Sequence, residues 1–352
     1  MGNVMKISFV IPAYNEEHYV ADCLEAILAQ KDAAPCPLEI VVVNNASTDG
    51  TEAVVRRYAD RGVTLVNEPM KGLVHARRAG YDAATGDIIA NVDADTRITP
   101  GWIDKVYRAF SADPALVALS GPFVYEDAPR SVRFWTVVFY GIGYVFYIIN
   151  RFILRVGSML QGGNFVVRRS AMDAIGGYDE SISFYGEDSD VARRLSKVGK
   201  VRFTFRFPAF SSARRLAKEG SFMMGLRYSV NYFWMTFFKR PWTKDYIDIR
   251  FKEKSVANFN PEHKLREVLL ALLALLMFIV IVGGGAYVAY SLVETGTVST
   301  ISLVQWELSA KNAANRVEER IEQHIGNLPT STRSMLEGKY RTTSSVIATS
   351  TP

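Results

Sequence analysis

The chain has 352 residues, of which 49% are apolar, and a formal net charge of +5. This length allows two domains, or one domain of about 220 residues with appended segments. The chain holds two cysteines, Cys23 and Cys36, which argues against a disulfide framework or a zinc site. Much of the positive charge is concentrated beside an apolar segment near the C-terminus, so anionic lipids or phosphorylated substrates fit it better than nucleic acid does.

The first part of the chain alternates between strand and helix patterns. Strands are predicted at residues 7–11, 39–43, 63–66 and 88–92, and helices at residues 16–30, 51–58 and 73–84. Such β–α repeats predict an α/β fold with an open, Rossmann-like, mostly parallel sheet flanked by helices. Ligands of these sheets bind beyond the carboxyl ends of the strands. Polar clusters occupy those ends, namely Tyr14-Asn15-Glu16, Asn44-Asn45, Asn67-Glu68 and Asp93-Ala94-Asp95.

Asp93 and Asp95 stand where the fourth predicted strand leaves the sheet. Two acids at this position are poorly suited to a core, because unpaired buried charge is expensive. They suit a hard divalent cation, which takes oxygen ligands and is often shared with nucleotide phosphates. Taken alone, the pair also fits an ordinary strand-end turn, so a metal site here depends on the surrounding residues.

Residues 268–293 contain no charged side chain. As a helix they would extend about 39 Å, enough for a tilted crossing of a bilayer core of about 30 Å. We therefore predict a transmembrane helix at residues 265–293. Basic residues are frequent before this helix and scarce after it, which predicts a single-pass protein of the cell (inner) membrane with residues 1–264 in the cytoplasm. The tail, residues 294–352, is then extracytoplasmic, first helical and then disordered, and its helix is a possible element of homo-oligomerisation.

Two other segments are rich in apolar and aromatic residues. Residues 134–150 are uncharged and have arginines on both sides. If Asp95 and Asp188 serve one site, a single crossing between them would separate them, so we interpret the region near 134–154 as an interfacial or core helix. Residues 216–264 contain an aromatic run followed by Lys239-Arg240, which predicts an amphipathic membrane-interface segment. An ordinary amphipathic core helix is the alternative for that run.

A second acidic cluster, Glu187-Asp188, completes a series of motifs. In chain order they are Ile11-Pro12-Ala13-Tyr14-Asn15-Glu16, Asn45-Ala46-Ser47-Thr48-Asp49-Gly50-Thr51, Ala76-Arg77-Arg78-Ala79-Gly80, Asp93-Ala94-Asp95, Gly162-Gly163-Asn164-Phe165 and Glu187-Asp188. With them the chain resembles family 2 glycosyltransferases, which are inverting, nucleotide-diphospho-sugar-dependent enzymes of the GT-A fold. The resemblance extends over about residues 7–215, so we assign residues 5–215 to the catalytic domain.

The resemblance implies a role for each matching position. Asp188 would be the catalytic base, and Glu187 would orient the substrate or the acceptor. Nucleotide-sugar binding is implied for Pro12, Tyr14, Glu16, Asn44, Lys71, Arg77, Asp93, Ala94 and Asp95. Contacts to the acceptor or the diphosphate are implied for Gly163, Asn164, Arg194, Arg214 and Arg215. Asp95, with Asp93 nearby, would hold Mn²⁺ or Mg²⁺.

Two departures from the family pattern bear on specificity. Family members often carry aspartate at the end of the second strand, where this chain has Asn44. An amide both donates and accepts, which leaves uridine, guanosine and thymidine nucleotides open. The Gln-x-x-Arg-Trp motif of processive polysaccharide synthases is absent, which favours a single transfer.

The expected function is transfer of one sugar from a nucleotide-diphospho-sugar to a lipid-linked acceptor, either a polyprenyl phosphate or a lipid-linked glycan. The transmembrane helix and the aromatic segments would hold the enzyme at the bilayer. One alternative is a membrane-anchored enzyme with a soluble glycan or protein acceptor. The other is a non-catalytic nucleotide-sugar-binding protein.

Overall fold

The computed structural model describes residues 5–182 and 184–243, all within one compact unit of the chain. The predicted transmembrane helix, the tail and residues 244–264 of the predicted interface segment lie outside the described residues.

Ten strands among the described residues form two sheets. In chain order they are β1 (Ile7–Ala13), β2 (Leu38–Asn44), β3 (Val63–Asn67), β4 (Ile88–Val92), β5 (Thr96–Ile98), β6 (Leu116–Ser120), β7 (Phe123–Val124), β8 (Asn164–Arg168), β9 (Lys200–Phe203) and β10 (Ala209–Ser211). The main sheet has the spatial order β3-β2-β1-β4-β8-β6-β9, and β5, β10 and β7 form the second. The first four strands are parallel, whereas β8 runs antiparallel to both β4 and β6.

Nine α-helices connect these strands within the described part of the chain. They are α1 (Val20–Leu28), α2 (Thr51–Arg56), α3 (Leu73–Ala83), α4 (Trp102–Ala112), α5 (Arg130–Ile148), α6 (Arg169–Ala174), α7 (Glu187–Leu195), α8 (Arg214–Glu219) and α9 (Ser221–Phe238). The α5 helix continues into a π-helical turn, Ile149–Ile153.

The central strands β1, β4 and β6 of the main sheet are buried on both faces, as their continuous apolar residues require. Phe9 of β1 packs on one face, in a core cluster with residues of α1 and α4. Its neighbour Val10 packs on the other face, in a cluster with residues of α3 and α7. Gly80 permits the close approach of α3, because a Cβ atom there would lie 2.4 Å from Val10 Cγ1.

The predicted strands and helices of the first 92 residues are confirmed within about two residues at most ends. One helix starts later than predicted, at Val20 instead of residue 16. The main chain of Glu16 is engaged in a turn, because its N–H donates to Thr51 Oγ1 at 2.7 Å and its carbonyl accepts from Tyr19 N.

The antiparallel strand β8 positions the loop before it against the end of β4. Val92 pairs with Asn164, so Asp93 lies beside Gly162 and Gly163. Gly163 has a φ of +79°, and a Cβ atom there would lie 2.2 Å from Asp93 Oδ2. A glycine is therefore needed both for the backbone conformation and for the space that the Asp93 carboxylate occupies.

The α5 helix presents apolar side chains on its outer face. Phe134, Val137 and Val145 are 62%, 71% and 47% exposed. Of the described helices, α5 with its π turn is long and apolar enough to cross a membrane. Only 6% of its most apolar stretch is buried within the protein, so α5 is not a core helix. Because β4 and β8 flank it in sequence and pair in one sheet, a crossing would place these strands on opposite sides of the bilayer. The exposure and the strand pairing favour an interfacial position for α5, which stays a prediction.

Candidate active site

A cavity of about 320 Å³ lies at the carboxyl ends of β1 and β4. It extends from there to the space between α5 and α9. Ten of the predicted site residues line it, namely Pro12, Tyr14, Lys71, Arg77, Asp93, Asp95, Glu187, Asp188, Arg214 and Arg215. Residues from six separate segments of the chain therefore line one cavity.

Arg77 is the buried centre of the polar part of the cavity. It lies on α3, is 1% exposed, and donates to Glu187 Oε1 and, at 3.0 Å, to Asp93 Oδ1. Its guanidinium also lies over the Phe165 ring. Burial alone would lower the pKa of Arg77, but the charges of Glu187 and Asp93 raise it, so the guanidinium stays protonated. Arg77 thus joins the two acidic motifs, which are far apart in the sequence.

Glu187 and Asp188 begin α7, where the helix dipole favours negative charge. Asp188 Oδ2 accepts from Gly162 N at 3.0 Å, and its Oδ1 accepts from Ser189 N at 2.7 Å. Burial raises the pKa of both carboxyls, that of Glu187 to about 7, and Arg77 offsets part of the effect on each. Glu187 Oε2 is buried and has no hydrogen-bond partner among the described residues. The pair is therefore suited to exchange a proton near neutral pH and to meet a polar ligand group.

Arg214 connects two other strand ends. Its Nη2 donates to both carboxylate oxygens of Glu16, at 2.5 and 2.6 Å, and to Asp95 Oδ2 at 2.9 Å. Ser212 N, just before it, donates to the Asp95 carbonyl, so the end of β10 is held against the end of β4. The guanidinium lies 4.4 Å from the centre of the Tyr19 ring. A cationic group is thereby held at the mouth of the predicted diphosphate site.

Lys71 and Tyr14 meet on the other side of the cavity. Lys71 Nζ donates to the Tyr14 hydroxyl at 2.8 Å and lies 4.1 Å from the centre of that ring. Asn45 supports this loop, because its Nδ2 donates to the Met70 carbonyl at 2.7 Å and its Oδ1 accepts from Gly72 N at 2.8 Å. Asn45 was not named as a site residue from the sequence, although it opens one of the family motifs.

Arg215 and Glu219 form a further ion pair, which lies near α9 beside aromatic side chains. Arg215 Nη1 donates to Glu219 Oε1 at 2.9 Å, and Arg227 Nη1 donates to Glu219 Oε2 at 2.7 Å. The Arg215 guanidinium lies 4.9 Å from the centre of the Phe184 ring. A second positive group therefore lines the part of the cavity near α9.

Six of the predicted site residues do not line the cavity, and Arg194 and Asn164 are two of them. The Arg194 side chain donates to Asp190 and to the carbonyls of Ile175 and Gly177, so these hydrogen bonds join it to α7 and to the segment before α7. The Asn164 side chain is fully buried and binds Trp102 Nε1 and the carbonyls of Gly121 and Phe207. Both side chains satisfy buried backbone groups, which explains their polarity without a substrate.

The other four predicted residues do not line the cavity but contact residues that do, or lie beside them in the chain. Glu16 holds Arg214, and Gly163 makes room for Asp93. Ala94 is a buried spacer between the two aspartates. The Asn44 amide donates to Glu52 and Asn67 and accepts from Ser47 N, so its hydrogen bonds are directed to its own neighbours. A direct contact of Asn44 with a nucleobase stays a prediction.

Sequence reasoning also missed Tyr140 and Gln161. The Tyr140 hydroxyl donates to Gln161 Oε1 at 2.8 Å and accepts from Phe123 N at 2.8 Å, and both residues line the cavity. Tyr140 lies within an aromatic helix pattern that marks no single position. Its role emerges only where α5 packs against the loop before β8.

The residues at the end of β4 fit a divalent cation that also binds a ligand. The Asp93 side chain is 34% exposed and that of Asp95 19% exposed, and both line the cavity. Among the described residues no group of three or more His, Cys, Asp or Glu side chains could hold a metal by itself. Two carboxylates suit Mg²⁺ or Mn²⁺ when phosphate oxygens of a substrate complete the coordination.

Residues 8–176 match the family described as Glycosyl transferase family 2. The chain contains a family 2 glycosyl transferase domain. The family that the motifs indicated is therefore confirmed, and the matched region includes the Arg77 and Asp93-Ala94-Asp95 motifs but ends before Glu187.

The chain is also similar to curated proteins that include glycosyltransferases. The chain is 27% identical over 193 residues to the glucosyl-dolichyl phosphate glucuronosyltransferase of Haloferax volcanii. The aligned region covers 52% of this chain and 59% of that protein. It is 31% identical over 137 residues to the succinoglycan biosynthesis protein ExoO of Rhizobium meliloti, which covers 39% and 38%. Both matches span less than two thirds of the relative's length.

A solved structure has the same fold. The mannosyltransferase PcManGT of Pyrobaculum calidifontis, in complex with GDP-Man and Mn²⁺, matches with a TM-score of 0.52 and 22% identity over 82% of this chain and 81% of that chain. At this level of identity the similarity concerns the fold. It confirms the predicted GT-A arrangement of a mixed α/β sheet flanked by helices.

Proposed function

We propose that the protein is an inverting glycosyltransferase that moves one sugar from a nucleotide-diphospho-sugar to a lipid-linked acceptor at the cytoplasmic face of the membrane. The acceptor is a polyprenyl phosphate or a lipid-linked glycan. One observation carries the proposal: a single cavity joins the carboxylates and cations at the strand ends to an aromatic space beneath the exposed apolar helix α5.

The polar part of the cavity suits the donor. Tyr14 and Lys71 lie where the nucleotide would bind, and Arg214 and Lys71 supply positive charge for the diphosphate. Asp95 and Asp93 would hold Mn²⁺ or Mg²⁺, which when bound supplies further positive charge to the leaving diphosphate. The PcManGT complex, which contains a nucleotide sugar and Mn²⁺ in a protein of this fold, supports this assignment.

Asp188 acts as the base in this proposal. The acceptor O–H transfers its proton to the Asp188 carboxylate while the acceptor oxygen attacks the anomeric carbon. The bond between that carbon and the diphosphate oxygen breaks on the opposite face, so the configuration inverts. Arg77 holds Glu187 in place, and Glu187 Oε2 meets a sugar or acceptor hydroxyl. If the acceptor is an ionised phosphate, no strong base is needed and Asp188 positions it.

Two observations support a lipid-linked acceptor: the surface of α5 and the name of one relative. The outer face of α5 is apolar, and Arg130, Arg133, Arg151 and Arg155 stand at its two ends, as in helices that lie at anionic headgroups. The name of the Haloferax volcanii relative includes a dolichyl phosphate, a lipid carrier. A predicted transmembrane helix at residues 265–293 would keep the site near the bilayer.

Incubation of membranes that contain the full-length protein with a panel of labelled nucleotide sugars, followed by lipid extraction, tests the proposal. We expect label in the lipid phase with one donor, and much less label from membranes that carry Asp188→Asn. Label found in water-soluble glycan or protein would support the alternative acceptor. A panel that labels neither phase would contradict glycosyl transfer and favour a nucleotide-sugar-binding protein.

Replacing Arg214 with glutamine is expected to weaken nucleoside diphosphate binding by at least about tenfold. The change removes a positive charge and leaves Glu16 and Asp95 to repel the diphosphate. Isothermal titration with uridine, guanosine and thymidine diphosphates in the presence of Mn²⁺ measures the effect. Arg97→Gln is the matched control, because Arg97 forms an exposed pair with Glu126. Equal affinity of the two variants would show that Arg214 has no part in donor binding.

A further inference from the structure

The cavity has an apolar half that the donor does not explain. Phe139, Gly143 and Phe146 of α5 form one wall, and Met224, Tyr228 and Tyr232 of α9 form the other. This half is continuous with the site of Asp188. A nucleotide, a sugar and a diphosphate are all polar, so an aromatic and aliphatic wall of this kind suits a different, apolar part of the reacting molecules.

The two helices are in close contact at Gly225, whereas Gly143 of α5 has more room around it. At Gly225 a Cβ atom would lie 2.4 Å from the Phe139 ring, so a larger residue there would force the helices apart. At Gly143 the nearest heavy atom to a Cβ atom would be Met159 Sδ, at 3.6 Å. A Cβ atom at Gly143 would thus make an ordinary van der Waals contact with Met159. Gly143 also lines the cavity, so a larger side chain at this position would extend into its apolar half.

The outer surface of the same helix is suited to a bilayer. Phe134, Val137 and Val145 are exposed there, and an α-helix with its side chains is about 10–12 Å across. A groove on the inner side of α5 is thus separated from the outer apolar face by a single helix. A hydrocarbon chain that leaves the bilayer beside α5 would have a short path to Asp188.

We propose that the space between α5 and α9 seats the first isoprenoid units of the lipid acceptor, and that Gly143 keeps it open. This inference rests on the proposed function, because it assigns the chain of that acceptor to a place in the cavity. The phosphate end of the lipid then lies toward Asp188 and the cationic Arg215, and the chain passes between Phe146 and Tyr232.

Gly141 provides a matched control for Gly143. Residues two positions apart on a helix point about 200° apart. Gly141 is exposed, and a Cβ atom there would meet nothing within 4 Å. Leucine at either position raises helix propensity equally. A difference between the two variants therefore reports the side of the helix that changed.

The test measures binding of a photoreactive long-chain polyprenyl phosphate to the full-length protein in lipid nanodiscs, without any donor. Gly143→Leu is expected to weaken binding by about tenfold, which is the loss of roughly two buried methylene groups. Gly141→Leu should bind as the wild type does, and cross-links of the wild type should map to α5 or α9. Nucleoside diphosphate binding shows whether each variant is folded. If Gly143→Leu is not folded, Phe146→Ala compared with the outward-facing Phe134→Ala carries the same test.

The outcomes separate this inference from the proposed function. Unchanged lipid binding by Gly143→Leu, equal losses in both glycine variants, or cross-links elsewhere would overturn the groove assignment. If the labelled sugar still enters the lipid phase when the groove assignment fails, the proposed function stays intact. Cross-links in the groove and a selective Gly143 effect, without any lipid product, would support the groove while the proposed transfer fails.

Discussion

For an acceptor that reacts through a hydroxyl group, replacing Asp188 with asparagine is expected to lower kcat by about 10²–10⁴-fold while donor binding persists. Asparagine has the same shape and can still bind Gly162 N, which donates to Asp188 Oδ2 at 3.0 Å, but it cannot take the acceptor proton. Single-turnover assays with the donor identified by the labelling panel measure the loss. Asp82→Asn is the control, because Asp82 pairs with Arg78 on the exposed face of α3. Retention of turnover within about tenfold would contradict a role as base.

The pH profile gives an independent reading of the same carboxyls. Burial raises the pKa of Asp188 and raises that of Glu187 to about 7. A raised pKa means that protonation begins at a higher pH than for an ordinary carboxyl, so kcat/KM is expected to fall as the pH is lowered through about 7. Because the two neighbouring groups are coupled, the profile reports the pair. Asp188→Asn should alter this acidic limb, whereas Asp82→Asn should leave it in place.

Replacing Arg77 with methionine is expected to destabilise the protein by about 3–5 kcal/mol and to abolish activity. The guanidinium is buried and binds both Glu187 and Asp93, so its loss leaves two carboxylates close together without their counter-charge. Chemical denaturation of the full-length protein and of its Arg77→Met variant measures the change in the free energy of unfolding.

The next residue supplies the control for this variant. Arg78 is 42% exposed and pairs with Asp82 one turn away, so Arg78→Met should change stability by less than about 0.5 kcal/mol. Adding Glu187→Met to Arg77→Met should restore part of the stability, because it removes one of the two unpaired charges, but it should not restore activity. Equal stability of Arg77→Met and Arg78→Met would refute the central role of Arg77.

Local patterns predicted much of the fold. The strands β1 and β4 are short, mostly apolar runs that end in polar clusters, and such runs can be recognised because burial on both faces demands apolar residues. The same pattern predicted that Asp93 and Asp95 lie at the edge of the sheet. The helix at residues 130–148 was also expected, but composition left a core and an interfacial position equally open. The exposure of its outer apolar side chains favours the interfacial position, which stays a prediction.

The individual site contacts were much less predictable. Arg77 and Glu187 are 110 positions apart, and Arg214 and Asp95 are 119 apart, so no local pattern relates them. The resemblance to the family implied acceptor or diphosphate contacts for Arg194 and Asn164. The structure shows both side chains bonded to buried carbonyls, and Arg194 also to Asp190, and a sequence does not reveal which backbone groups lack partners.

The sequence by itself determined the α/β class, the family and the placement of the acidic motifs at strand ends, because these depend on runs of neighbouring residues. Tertiary structure alone decided that β8 enters the sheet antiparallel beside β4, that Arg77 joins Asp93 to Glu187, and that α5 and α9 enclose an apolar space next to Asp188. The physical reason is that burial and charge pairing are settled between distant segments, when each buried charge must find a counter-charge and each apolar face a neighbour.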